Sequence, residues 1–353
     1  MPYELLAGHE ALDSARGDWE ALQTSVPIHI FQTYDFARLW YDAAGRRAGA
    51  FPMIVTYAED GCTTGLFPAC LVRYGPARLL TWLAGPHVLD YGDIVFDASA
   101  SRIPAEEFVA EALRLLRASA PLAFPYLTNV RDDAAASGAL GTGMRAYKHC
   151  AAPYLPLGGD FDGYLASLSR HRRHDLRRTL AKLDEAGEVR FRLLSREDAD
   201  LDAVIERLME LKRSRYGRTA FRGGTEAFRK LQAREERHTF VGALTVGGVL
   251  AAAEMVCIYR DRMYLLLPGF DEAFAAYAPG KAVRYHLIRE CFARGLETCD
   301  FCWGGAEHKY QWTDLETRLT TFVSGDLRGA LLAGVAGGRR RRARSGAEGE
   351  GPR

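Results

Sequence analysis

The sequence predicts an α/β (α+β, mixed-sheet) protein of two domains and a tail. Three observations predict it. The chain has 353 residues, enough for two or three domains of ordinary size. It is 48% hydrophobic and 26% charged with a net charge of +1, the profile of a soluble globular protein. Short apolar runs alternate with amphipathic helical stretches through the second half, in the order β-α-α-β-β-β-α-β-α-β. This profile excludes a disordered chain, a collagen-like chain and a strongly basic nucleic-acid coat. The longest apolar runs, 79–84 and 330–336, fall far short of the ~18 residues a spanning helix needs.

In the first half, hairpin strands are expected at 52–58 and 64–72, a helix at 103–118 and a strand near 122–128. Gly138-Ala-Leu-Gly-Thr-Gly143 follows polar sequence rather than a strand, so it reads as a loop and not as a phosphate cradle. In the second half, Val189–Leu194 reads as a strand. Ser195 and Asp198 give an S-x-x-D cap for a helix running to about Arg213. A second helix starts at Thr225 and ends near His238. Three strands follow: Thr239–Val246, then 249–258 after the turn Gly247-Gly248, then 262–267 after Arg260-Asp261. A loop spans 268–280, and helix 281–294 stops at Gly295, presenting Val283, Leu287 and Cys291 on one face. A strand at 297–303, a short helical stretch through 309–312 and a strand at about 317–323 complete the series.

Charge is unevenly spread. Residues 1–150 carry 12 Lys+Arg against 17 Asp+Glu, a net of −5, whereas 151–353 carry 34 against 28, a net of +6. The basic excess gathers at 170–178 and in the tail at 339–344, whose Gly-rich setting predicts a disordered segment over 329–353. The seven cysteines are an odd number in a chain too long to need staples, and the N-terminal segment is polar and acidic. A cytoplasmic protein with reduced thiols is expected. Cys299 and Cys302 form a C-x-x-C, but on a strand residues three apart point to opposite faces, so small buried hydrophobes are expected there.

Several segments resemble one family. They are LSRHRRHDLRRTLAKLDEAG, GFDEAFAAYAPGKA and CDFCWGGAEHKYQWTD in the second half, with DWEAL, FQTYDFARLW and GPHVLDYGDIVF in the first. With the element order above, they look like the GNAT superfamily, in its FemAB-like and cellulose-biosynthesis-associated N-acyltransferase branch. The resemblance covers about residues 1–325. It implies a tandem GNAT-like acyl-CoA N-acyltransferase fold: a degenerate first domain at 1–155 and an acyltransferase domain at 156–328.

Acyl transfer to an amine needs a neutral amine, a polarised carbonyl, a positioned donor and a route for the amine proton. Tyr277, Pro279, Gly280, Lys281 and Ala282 lie where a donor pyrophosphate would meet a helix N-terminus; on local signal alone they read as a plain turn and cap, and it is the resemblance that makes them the donor site. Gly280 is the sole glycine of 277–282, where the common GNAT loop has several; the same thinning is expected of FemAB-like enzymes that take aminoacyl-tRNA. Glu254, the one carboxylate within the apolar stretch 249–258, reads either as a general base or as the buried partner of an Arg. Asp271 either caps its loop or faces the acceptor amine, and Tyr264 either packs in the core or protonates the leaving group.

On the basic helix, Leu176, Leu180 and Leu183 form a stripe whose N-terminal continuation is Arg172 and Arg173. These two arginines are candidate contacts to a carboxylate or phosphate, while Arg177 and Arg178 fall off the stripe toward solvent. Lys212 and Arg215, near the end of their helix, are further substrate candidates, read otherwise as dipole-compensating surface charge. Asp300 and Lys309 match the family's Asp in this strand and Lys after the Gly turn, and read equally as a structural pair.

The first function expected is transfer of an acyl group from acyl-CoA to the amine of a small molecule or amino sugar. The second is an aminoacyl-tRNA-dependent transferase forming a peptide bond on a cell-wall precursor or specialised metabolite. A binding protein that kept the fold and lost the chemistry is the third. No tightly bound cofactor, metal, membrane insertion or DNA partner is expected; acyl-CoA or aminoacyl-tRNA serves as co-substrate.

Overall fold

The computed structural model describes residues 2–217, 220–221 and 224–325. The tail expected to be disordered, with its arginines at 339–344, lies outside the described residues. Two compact units are present among the described residues, one made of 2–34, 49–149 and 319–325, the other of 35–48 and 150–318. The division departs from the contiguous segments 1–155 and 156–328: the boundary falls at 149/150, and two stretches change sides. Strand Glu316–Val323 hydrogen-bonds antiparallel to Phe124–Arg131, so its end belongs to the first unit rather than closing the second-half sheet. Residues 35–48 join the second unit. Phe36 meets Phe228 edge-on with ring centroids 5.3 Å apart, and Ala44 lies 3.0 Å from where a Cβ on Gly224 would sit.

The first unit's sheet runs Tyr3–Ala7, Phe51–Glu59, Cys62–Tyr74, Ala77–Trp82, Phe124–Arg131, Glu316–Val323. Neighbours are antiparallel except Ala77–Trp82 and Phe124–Arg131, which run parallel. The hairpin turns at Asp60 and Gly61, both left-handed, as a tight two-residue connection requires. Helices Ala11–Ser25 and Ala105–Ser119 bury Trp19 and Phe108 in this unit's core. The glycine-rich segment expected to be a loop is a short helix, Ser137–Gly143. The cause is Asp93, whose carboxylate accepts the N–H groups of Ala135 and Ala136 at 2.9 Å each and so caps the helix start.

The second unit's sheet runs Arg145–Pro156, Thr298–Asp300, Arg262–Phe270, Val249–Tyr259, Thr239–Val246, Val189–Leu194. The three central strands turn where expected, at Gly247-Gly248 and at Arg260-Asp261, with Arg260 in the left-handed region (φ 55°). Helices Phe161–Ser167, Arg170–Ala186 and Pro279–Ala293 cover one face, whose core includes Leu176, Leu183, Ala252, Leu287 and Trp312. Helix Leu201–Tyr216 covers the other, with Leu208, Met209, Val241 and Ala253. That helix starts at Leu201, not Ser195. Asp198 does accept from the Ser195 N–H at 2.8 Å and hydroxyl at 3.1 Å, but this closes a separate turn ahead of the helix. Helix Thr225–Glu235 ends three residues before His238, because Glu236 turns to bind the His238 N–H and the Thr239 hydroxyl.

Two details open the sheet. Glu254 lies opposite Pro268, which has no N–H to give the ladder, and the register of these strands slips just after it, between Met255 and Val256. Gly269 beside Pro268 lets helix Leu201–Tyr216 come close, since a Cβ there would sit 2.6 Å from Leu208 Cδ1.

Candidate active site

A cavity of about 470 Å³ lies in the second unit, where helices from both faces of the sheet converge on that opening. Strand Val249–Tyr259 supplies Ala253 and Glu254, and strand Arg262–Phe270 supplies Pro268, Gly269 and Phe270. Helix Leu201–Tyr216 brings Lys212, Arg215 and Tyr216. The basic helix brings Asp175, Arg178 and Lys182, and the start of helix Pro279–Ala293 brings Gly280, Lys281 and Arg284.

Glu254 is 1% exposed and its carboxylate is gripped by Arg284, Nε to Oε2 at 3.1 Å and Nη2 to Oε1 at 3.2 Å. It is thus the partner of a buried arginine and also part of the cavity wall. At the other pole Lys281 Nζ donates to Asp175 Oδ2, and Arg178 donates to Asp175 Oδ1 at 2.8 Å. The hydrogen bond from Lys281, aided by Arg178, holds the Asp175 carboxyl below its ordinary range. The left-handed residue that bends the chain into this helix is Ala278 (φ 49°), not Gly280, which lies within the helix. The Lys281 N–H is donated to the Ala278 carbonyl at 3.0 Å, so side-chain cations carry much of the anion attraction here.

Lys212 lies over the Tyr216 ring, Nζ to centroid 4.7 Å. Burial pushes its pKa down to about 8, with Arg215 and Arg284 lowering it and Glu254 resisting. Arg215 stacks on Phe270 at 4.6 Å, with Glu272 3.8 Å away. His308, in the wall, is pushed down to about 4, first by desolvation and then by Arg284, Lys309 and Arg215.

The cavity therefore gathers Glu254, Tyr277, Pro279, Gly280, Lys281, Lys212 and Arg215 from the residues the sequence singles out. The others lie outside its lining. Ala282, at 0% exposed, faces the core. Tyr264 is buried in the strand interior, opposite Cys257 and Asp300. Asp271 caps the turn Glu272–Tyr277 through the Ala273 N–H at 3.0 Å and accepts from Arg207 at 2.7 Å, both of which lower its pKa and leave it poorly suited to take a proton. Arg172 pairs with Asp314, Nη1 to Oδ2 at 3.1 Å, and Arg173 donates to the carbonyls of Ala166 and Leu168, ending the preceding helix. Arg178, assigned to solvent by the leucine stripe, is indeed exposed, and it also edges the cavity, where it meets Asp175; the buried stripe is Leu176, Thr179, Leu183.

Asp300 and Lys309 both hold Cys302. Asp300 is fully buried, accepting from Arg262 at 3.0 Å and from the Cys302 N–H at 2.8 Å. Lys309 Nζ donates to the carbonyls of Cys302 at 3.1 Å and Trp303 at 2.8 Å. Cys299 and Cys302 are both buried thiols, and all seven cysteines are free. Trp312 lines the cavity, while Trp303 is 42% exposed. The sequence reading passed over Arg284, Asp175 and His308; an arginine on the core-facing side of helix Pro279–Ala293 was the available signal for the first.

Residues 170–310 match the family described as an acetyltransferase (GNAT) domain. No curated protein matches the chain. Among solved structures, FemX superposes with a TM-score of 0.60 at 14% identity, over 86% of this chain and 95% of that one. L-PGS from Bacillus licheniformis gives 0.57 at 12% identity, over 90% and 95%. A tandem GNAT protein from the clavulanic acid biosynthesis pathway gives 0.53 at 12% identity, over 91% and 98%. The fold is the tandem GNAT-like one, and the matched domain lies within the unit that holds the cavity. Residues 170–310 thus form a GNAT acetyltransferase domain, within a chain whose fold is like that of FemX and of the tandem GNAT protein. No helix among the described residues is long and apolar enough to cross a membrane.

Proposed function

We propose that the enzyme transfers an acyl group from acyl-CoA to the amine of a small molecule or amino sugar. The charge of the cavity wall carries this reading. Six cations, Arg178, Lys182, Lys212, Arg215, Lys281 and Arg284, stand against two carboxylates, Asp175 and Glu254. Such a wall attracts a polyanionic donor. The donor's phosphates lie by Lys281, Arg178 and Lys182 at the first turn of helix Pro279–Ala293, where the positive dipole end adds to the attraction. The acyl carbon then reaches the sheet opening, where backbone N–H groups beside the Met255/Val256 register slip receive the oxyanion. The acceptor amine enters between Glu254, Lys212 and His308. Seven free thiols suit a reducing compartment such as the cytoplasm.

The second reading keeps the chemistry and changes the donor to aminoacyl-tRNA. It is favoured by the turn into helix Pro279–Ala293, with its single glycine, and by the basic helix that places Arg178 and Lys182 on the cavity. The likeness in fold to FemX agrees with it. One pair of measurements separates the two. Acetyl-CoA is expected to raise the melting temperature, and acetyl-pantetheine, which lacks the pyrophosphate, is not. No shift with any acyl-CoA, together with transfer from radiolabelled aminoacyl-tRNA, makes tRNA the donor.

A further inference from the structure

Every acyl transfer to an amine must dispose of the amine's proton, and the cavity holds four groups that bear on this. Glu254 has both oxygens engaged by Arg284. Asp175 is shared by Lys281 and Arg178. His308 is held down at about 4, too weak a base to keep a proton at neutral pH. Lys212 is different. Among the described residues no carboxylate lies within ion-pairing distance of its ammonium, which sits over the Tyr216 ring at 4.7 Å from the centroid. The groups that face it are Glu254 from strand Val249–Tyr259, Arg284 from helix Pro279–Ala293, and Arg215 and Tyr216 from its own helix. Two cations and partial burial against one carboxylate make the Lys212 ammonium easier to deprotonate than an ordinary lysine.

We propose that Lys212 is the proton acceptor of the reaction: its Nζ takes the proton the acceptor amine sheds on attacking the acyl carbon, and returns it to the leaving group. The new C–N bond forms as the donor's C–S bond breaks, or its C–O bond if the donor is an aminoacyl ester. The departing sulfur or oxygen carries off the electron pair and receives the proton from the Lys212 ammonium. Nothing is consumed at Lys212, and no other reactant is needed. The inference rests on the acyltransferase reading but not on the identity of the donor. It assigns Glu254 a different duty, as the fixed counter-charge of Arg284.

Trace acetylation with acetic anhydride across a pH series, read by mass spectrometry, titrates Lys212 without any substrate. Its reactivity is expected to reach half-maximum near pH 8, well below the ordinary lysine value of about 10.4 shown by a lysine in a short unstructured peptide labelled alongside. Arg215→Gln, which removes one neighbouring cation, shifts the Lys212 midpoint upward. In transfer assays with acetyl-CoA and glucosamine, or with charged tRNA if that is the donor, Lys212→Arg lowers turnover by about 10²–10⁴-fold with little change in KM. A small primary amine added to Lys212→Ala restores part of the rate, which a merely structural lysine would not permit. The melting temperature of each variant is measured alongside. A Lys212 midpoint equal to that of the peptide lysine overturns the proposal whatever the donor, and so does a Lys212→Arg enzyme with wild-type turnover and pH profile. Absence of transfer from acetyl-CoA overturns the donor reading alone and leaves the labelling result standing.

Discussion

Glu254 and Arg284 hold each other through two hydrogen bonds of 3.1 and 3.2 Å in a site where neither side chain is more than 8% exposed. Removing one member of such a pair leaves an uncompensated buried charge, which costs about 3–5 kcal/mol. Arg284→Met is expected to lower the unfolding free energy by about that amount, measured by urea denaturation. Glu254→Gln keeps an acceptor oxygen for Arg284 and costs less. Turnover of folded Glu254→Gln enzyme is expected to stay within about tenfold of wild type, because the proton passes elsewhere. A loss of about 10²–10⁴ with unchanged stability would instead make Glu254 the base.

Asp175 neutralises Lys281 and Arg178 at the pole assigned to the donor. Asp175→Asn frees both cations. Acetyl-CoA is expected to bind about three- to tenfold more tightly to this variant, with a steeper dependence on salt. Calorimetric titration at low and high ionic strength reads both quantities. Lys281→Ala weakens binding modestly, since Asp175 already offsets that charge. Equal affinity in Asp175→Asn and wild type would place the donor elsewhere.

The central hairpins were legible because Gly247-Gly248 and Arg260-Asp261 fix two-residue turns between apolar runs. Helix Pro279–Ala293 was legible from Val283, Leu287 and Cys291. What the sequence could not show depends on partners far along the chain. The last strand is as apolar as its neighbours, and only its bonds to Phe124–Arg131 decide which sheet it joins. Ser195 and Asp198 do bond as a cap should, but the chain turns again before the helix begins. Of the site residues the sequence singles out, Tyr277, Pro279, Gly280, Lys281 and Glu254 do line the cavity. Arg172 and Arg173 looked like ligand contacts because their stripe is cationic, yet Asp314 and two carbonyls use them. A basic stripe states that anions or carbonyls are near, without saying whose they are.

Cys302 is a non-glycine residue in the left-handed region (φ 57°), held there by Asp300 on its N–H and Lys309 on its carbonyl. Lys309→Met removes donors from two carbonyls and is expected to lower stability by about 1–3 kcal/mol. Acetyl-CoA affinity should be nearly unchanged. The melting temperature and a binding isotherm on the one variant decide the matter. A large loss of affinity in a protein of wild-type stability would put Lys309 on the ligand instead of the loop.

His286 stacks on Phe191 with ring centroids 4.9 Å apart, and its Nδ1 is buried without a hydrogen-bond partner. Burial, aided by the charge of Arg289, pushes its pKa down to about 4, against about 6.5 in an unfolded chain. Protonation therefore favours the unfolded state. The stability linked to this group is complete above pH 6.5 and is lost as the pH falls through 6.5 toward 4, by about 1–3 kcal/mol. His286→Phe keeps the stacking and removes the orphaned nitrogen, so it is expected to stabilise the protein at pH 7 by about 1 kcal/mol. It should also flatten the decline on acidification. His308 is held near 4 as well and contributes to the same limb, so the quantity to measure is the difference between wild type and variant in urea unfolding across that pH range. Parallel curves would mean that His286 is not a source of the acid sensitivity, and that its ring nitrogen finds a partner once protonated.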